Sequence, residues 1–135
     1  MSVPTFLTAL LMIGLAATAA RGQEEGEQTP ADTLFIAFPE MNVTLVERSR
    51  IDGIMTVRVS LEVFDAESQG QVEHQRPRLQ DAYVHTLTRL ASARFDVRRP
   101  IDYALMGRYL QRDTNRILGV DVARVLVQDA ILRRR

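Results

Sequence analysis

The chain has no cysteine, no lysine and no tryptophan, and aromatic residues make up only 6% of its 135 positions. Without cysteine there is no thiol nucleophile, no disulfide framework and no thiolate metal site. Without lysine, every permanent side-chain cation is an arginine, the residue suited to bidentate carboxylate pairing. Charge of one sign is missing too. Seventeen arginines face 17 acidic residues, a formal net charge of +0. A general nucleic-acid binder needs a basic excess, so no nucleic-acid partner is expected.

Catalytic signatures are equally scarce. No Gly-x-Ser-x-Gly surrounds any serine, and Gly70 and Gly107 stand alone rather than in a phosphate-cradling loop. His74 and His85 are the only histidines. Eleven residues apart, they share a helical face at about 20° but lie roughly 16 Å apart in rise. Ligands to one metal sit about 2 Å from it, so the two cannot share an ion. No catalytic residue, cofactor, metal or small-molecule substrate is expected, and the protein is read as not an enzyme. A pair of carboxylates that meets only in the fold is the alternative that sequence leaves open.

What is present begins with an apolar run, MSVPTFLTALLMIGLAATAA, over residues 1–20. One reading is a cleaved signal peptide, with Ala17-Thr18-Ala19 as the small-x-small site. The other is a retained anchor; as a helix, residues 3–20 span roughly 27 Å, near the lower limit for a bilayer. Either reading exports the rest of the chain. Residues 21–32, RGQEEGEQTPAD, are expected to be an acidic flexible tether.

The domain is expected over residues 33–135. Leu34–Phe38 is an apolar run that Pro39 interrupts, and Met41, Val43 and Leu45 alternate with mostly polar residues. Met55, Val57, Val59, Leu61 and Val63 alternate with Thr56, Arg58, Ser60 and Glu62, a period of two that predicts a half-buried strand. The segments 41–46 and 54–64 are read as an antiparallel hairpin with a long connection, Asp52-Gly53 marking the turn. Asp65 is placed to cap a helix from Glu67 to about Ala93, whose Val72, Leu79, Tyr83, Thr86, Leu87 and Leu90 share one face. Pro77 predicts a kink there, or two short helices meeting near Arg76. A second helix is expected from near Pro100 to Leu118, ended by Gly119. Val122–Leu132, apolar on both alternating faces, reads as a strand inside a sheet covered on both sides. The expected fold is α+β, a β-β-α-α-β order with a sheet backed by helices.

One regular constellation remains. Arg108, Arg112 and Arg116 recur every four residues along the second helix, a stripe that could dock an acidic partner or lipid head groups.

The passage VRVSLEVFDAESQGQVEHQRPRLQDAYVHTL (57–87) carries a family pattern. An alternating strand ends in Leu61-Glu62-Val63, an acid follows at Asp65, a helix holds a proline at Pro77, and Asp81-Ala82 precedes apolar residues. With Asn115 and Leu118 closing the second helix and VARVLVQDAIL (122–132) as the final strand, the chain resembles the FliL family of flagellar basal-body-associated proteins. It departs from that pattern in its short N-terminal flank and in Arg133–Arg135 at the C-terminus. The resemblance implies a stomatin-type periplasmic domain on a single-pass inner-membrane anchor. It also implies self-association and contact with flagellar stator and basal-body proteins, in support of motor function and motility. It implies no reaction.

Overall fold

The computed structural model describes residues 34–135; the leader or anchor expected at 1–20 and the tether at 21–32 lie outside the described residues. The elements are β1 (Leu34–Ala37), β2 (Met41–Glu47), β3 (Arg50–Val63), α1 (Ser68–Ala93), α2 (Tyr103–Leu118) and β4 (Ala123–Arg134). The fold is α+β, with an antiparallel four-stranded sheet and two helices. There is one strand more than expected, because Pro39 divides the leading edge. β1 pairs with Ser60–Val63 and β2 with Arg50–Val57, so both lie end to end along one side of β3. Phe38 bridges them by donating its N–H to the Val59 carbonyl at 3.0 Å. Proline, which has no N–H to give, is tolerated on such an edge.

The alternating pattern of β3 holds. Met55, Val57, Val59, Leu61 and Val63 are wholly buried and face the helices. Two sequence readings of its partners do not hold. The turn is not at Asp52-Gly53. Arg48 and Ser49 form it, with φ of 48° and 66°, so the hairpin connection is two residues long, as in a type I′ turn. Asp52 is instead the extra residue of a bulge, where Leu45 pairs with Gly53 but Val46 with Ile51. Gly53 sits in the ladder because β4 passes close by: a Cβ there would lie 2.5 Å from the Arg133 carbonyl oxygen.

The I′ geometry places two side chains in the left-handed region, which costs each non-glycine residue roughly 1–2 kcal/mol. Replacing Arg48-Ser49 by Asn-Gly is expected to stabilise the domain by about 1 kcal/mol. Thermal melts check this; an unchanged or lower midpoint contradicts the turn.

β4 is an edge strand that pairs only with β3, not one inside a sheet covered on both sides. Its two-faced apolar pattern has a local cause. Arg58 pairs with Asp129 but Val59 with Val127, leaving Gln128 as a bulge. The bulge shifts the alternation by one residue. Ala123, Val125, Val127, Ala130 and Leu132 therefore pair with the buried residues of β3, while Leu126 and Ile131 fall on the far face. That far face carries Ile54 and Ile131 directly, with Val46 and Ile51 beside the β2 bulge, all four exposed.

α1 is one helix of 26 residues with Pro77 inside it, so the reading as two short helices does not hold. Pro77 and Glu73, whose carbonyl loses its partner, are both exposed; water can satisfy that carbonyl, which is why the break costs little there. The expected apolar face is buried at Val72, Leu79, Tyr83, Thr86, Leu87 and Leu90. Asp65 accepts from the backbone N–H and the hydroxyl of Ser68, each at 2.8 Å. Those bonds hold its carboxyl below the ordinary range. α2 starts three residues later than Pro100 suggests, because Asp102 caps it by accepting from Leu105 N–H at 2.8 Å. Gly119 ends it at φ 101°, ψ 165°, a conformation open essentially only to glycine.

α2 also guards the free edge of β4. The Gln111 amide donates to the Ala123 carbonyl and accepts from Val125 N–H, at 2.9 and 2.8 Å. The Tyr103 hydroxyl donates to the Ala130 carbonyl at 3.2 Å. Together they occupy backbone groups that would otherwise invite another strand.

Candidate functional site

Two buried hydrogen-bonded contacts fasten α1 to α2. Thr114 spends its proton on the Leu110 carbonyl at 2.9 Å, so Tyr83 donates its own to Thr114 Oγ1 at 2.6 Å. The Tyr83 ring is wholly buried and meets Phe38 edge-on at 5.3 Å. Burial holds the phenol well above its ordinary value and the nearby Asp113 charge adds to this, against the opposing Thr114 hydrogen bond.

The sign of that shift gives a pH dependence. Above about pH 10 the unfolded chain releases the phenolic proton while the fold retains it. Stability is therefore full below pH 10 and falls as pH rises beyond it. Tyr83→Phe is expected to remove one proton's worth of that slope. Equal alkaline slopes in the two proteins contradict the assignment.

The second contact is nearer the surface. Thr86 donates to one oxygen of the buried Asp113, and Arg116 holds the other at 2.8 Å. Arg89 donates to Thr86 Oγ1 at 3.2 Å. Arg89, Thr86, Asp113 and Arg116 thus form a chain of bonds across the seam between the helices.

Above that chain runs a groove. Two hollows, of about 330 and 400 Å³, meet at Thr86 and Arg89. The first is lined by Arg89, Arg94, Tyr109, Arg112 and Asp113 among others. The second adds Arg78, Asp81, His85 and Arg116. Five arginines therefore face two aspartates. Of the five, only Arg116 makes a salt bridge among the described residues. The Arg112 guanidinium lies over the Tyr109 ring at 5.6 Å. Guanidinium forks without carboxylate partners, held over a half-enclosed groove, suit carboxylates or other anions.

The expected stripe is thus only partly assembled. Arg112 and Arg116 line the groove, whereas Arg108 is exposed on α2 outside it. The sequence reading missed Arg78, Arg89 and Arg94. Arg78 and Arg89 are eleven residues apart, which returns them to one helical face. That spacing was readable, but which face meets α2 was not.

The histidines stay apart from any shared chemistry. Both are exposed, and His85 lies 3.6 Å from Asp81. Among the described residues no three metal-ligating side chains come together. A smaller cleft of about 240 Å³ between the β2–β3 hairpin and the end of α1 is lined by Glu47, Asp52, Arg94 and Asp96 among others, without bringing the three acids into one cluster. No helix among the described residues is long and apolar enough to cross a membrane. No protein-family model and no curated protein matches the chain.

Proposed function

We propose that this chain is a non-enzymatic accessory protein of the bacterial flagellar motor. In this reading it is a FliL-type domain of stomatin-like fold, held in the periplasm by a single-pass inner-membrane anchor at residues 1–20. It self-associates and contacts stator and basal-body proteins, supporting motor output. The observation that carries a docking role is the arginine-lined groove over Thr86 and Asp113. It offers unpaired guanidinium groups to an acidic partner surface. The link to motility rests on the resemblance in residues 57–87 and 122–132.

A strain lacking the protein is expected to lose swimming under high viscous load more than under low load. Normal swimming at both loads overturns the motor role.

A second reading is a soluble periplasmic adaptor, released by signal cleavage and unconnected with motility. Ala17-Thr18-Ala19 favours it. Membrane association that resists alkaline extraction supports the anchored form; release by osmotic shock supports the adaptor.

A further inference from the structure

We propose that the hairpin end of the sheet's far face seats on a membrane surface rich in anionic lipid. The inference goes beyond the proposed function and does not depend on it. Val46, Ile51, Ile54 and Ile131 are left 43–50% exposed there. Val46 pairs with Ile51, and Ile54 and Ile131 are diagonal neighbours across β3 and β4. Large apolar side chains grouped in water mark a contact surface.

The charge around the patch indicates what it contacts. Arg133 stands directly across from Ile54, and Arg48 lies in the turn beyond Ile51. Arg135 donates its N–H to the Asp52 carbonyl at 3.2 Å, which keeps it beside the hairpin. All three arginines are exposed and make no salt bridge among the described residues. Segments 47–52 and 133–135 meet at this end of the sheet and hold five arginines against Glu47 and Asp52. Those two acids line the cleft toward the end of α1. Further along the far face the charges are already matched, in the pairs Arg58–Asp129 and Arg124–Glu62.

Apolar side chains rimmed by cations fit a lipid surface. The isoleucines enter the boundary between head groups and acyl chains, while guanidinium forks reach the phosphates above. A second copy of this chain fits less well. Four apolar side chains fall short of the roughly 20–30 residues a side that a stable interface uses. Pairing the face with itself also brings the arginine rims together. The helices pack on the opposite face of the sheet, so a seated domain keeps the groove between α1 and α2 turned away from the lipid.

The full chain has no cysteine, so Thr44→Cys carries one environment-sensitive fluorophore across from Ile54, and Thr88→Cys carries one on α1. Both positions are exposed. The full chain is mixed with vesicles of phosphatidylcholine, alone or with phosphatidylglycerol. On the mixed vesicles the Thr44 label is expected to shift to shorter emission wavelength and to be quenched by nitroxide lipids. The Thr88 label is expected to keep its emission in water. With phosphatidylcholine alone, neither changes. The contrast between labels reads the face itself, whatever residues 1–20 contribute to attachment.

Arg48→Gln/Arg133→Gln/Arg135→Gln is expected to lose the shift at Thr44, and exposed positions without ion pairs leave the variant folded. Ile54→Ser/Ile131→Ser is expected to lose it as well. Equal shifts on both kinds of vesicle, equal shifts at both labels, no shift at Thr44, or a shift that survives loss of the three arginines overturns the proposal. So does a Thr44 shift without lipid that grows with protein concentration, which assigns the face to a second copy. None of these outcomes touches the motor role, which is read from swimming.

Discussion

Tyr83→Ala is expected to destabilise the domain by about 3–5 kcal/mol, the cost of emptying a large aromatic site. Tyr83 is wholly buried, packs edge-on against Phe38 and closes the hydrogen bond to Thr114 that joins α1 to α2. The substitution removes the aromatic contact, the apolar burial and the inter-helix bond together. Tyr83→Phe separates these. It keeps the ring and loses only the hydroxyl, and Thr114 retains its bond to the Leu110 carbonyl. About 1 kcal/mol is expected for it. Denaturant titration of both variants provides the comparison. If Tyr83→Ala costs no more than Tyr83→Phe, the ring and its contact with Phe38 do not hold the α1–α2 pair in place.

Tyr83 was visible in the sequence as one member of a helical face, and the face was legible because α1 keeps a regular period. β3 was legible for the same reason, with a period of two and every odd residue from Met55 to Val63 buried. Pairing information was harder to extract. A bulge changes which face a residue takes without changing its chemistry. The extra residue Gln128 therefore made β4 look covered on both sides. Asp52-Gly53 carries the composition of a turn, yet Gly53 is required by the close approach of the Arg133 backbone. The true turn, Arg48-Ser49, has residues that disfavour its geometry, so local propensity pointed to the wrong place.

Pro77 misled differently. Its helix-breaking effect depends on whether the orphaned carbonyl meets water, and burial is a property of the whole fold. The groove has the same origin. Arg112 and Arg116 could be placed on one face of α2, but Arg78, Arg89 and Arg94 join them only through the way α1 crosses α2. The bond from Thr86 to Asp113 across that crossing joins residues 27 apart.

The second large effect concerns that groove. Arg78→Glu with Arg112→Glu turns two of its five cations into anions. Neither residue makes a salt bridge among the described residues, and both are exposed. Substitutions at such positions usually change stability by about 0.5 kcal/mol or less. The domain should therefore fold while its docking surface repels an acidic partner, since like-charge juxtaposition across an interface costs several kcal/mol. Other surfaces offer no such clean test. The far face of the sheet carries an apolar cluster of Val46, Ile51, Ile54 and Ile131, and changes at Ile54 or Ile131 would alter packing and solubility together.

Swimming under high load in a deletion strain that carries the double charge-reversal variant is the most direct measurement. With variant and parent present at equal levels in the same cell fraction, the parent is expected to restore swimming and the variant to leave it at the level of the deletion. Restoration by the variant equal to that of the parent would contradict the groove as the surface through which this protein acts.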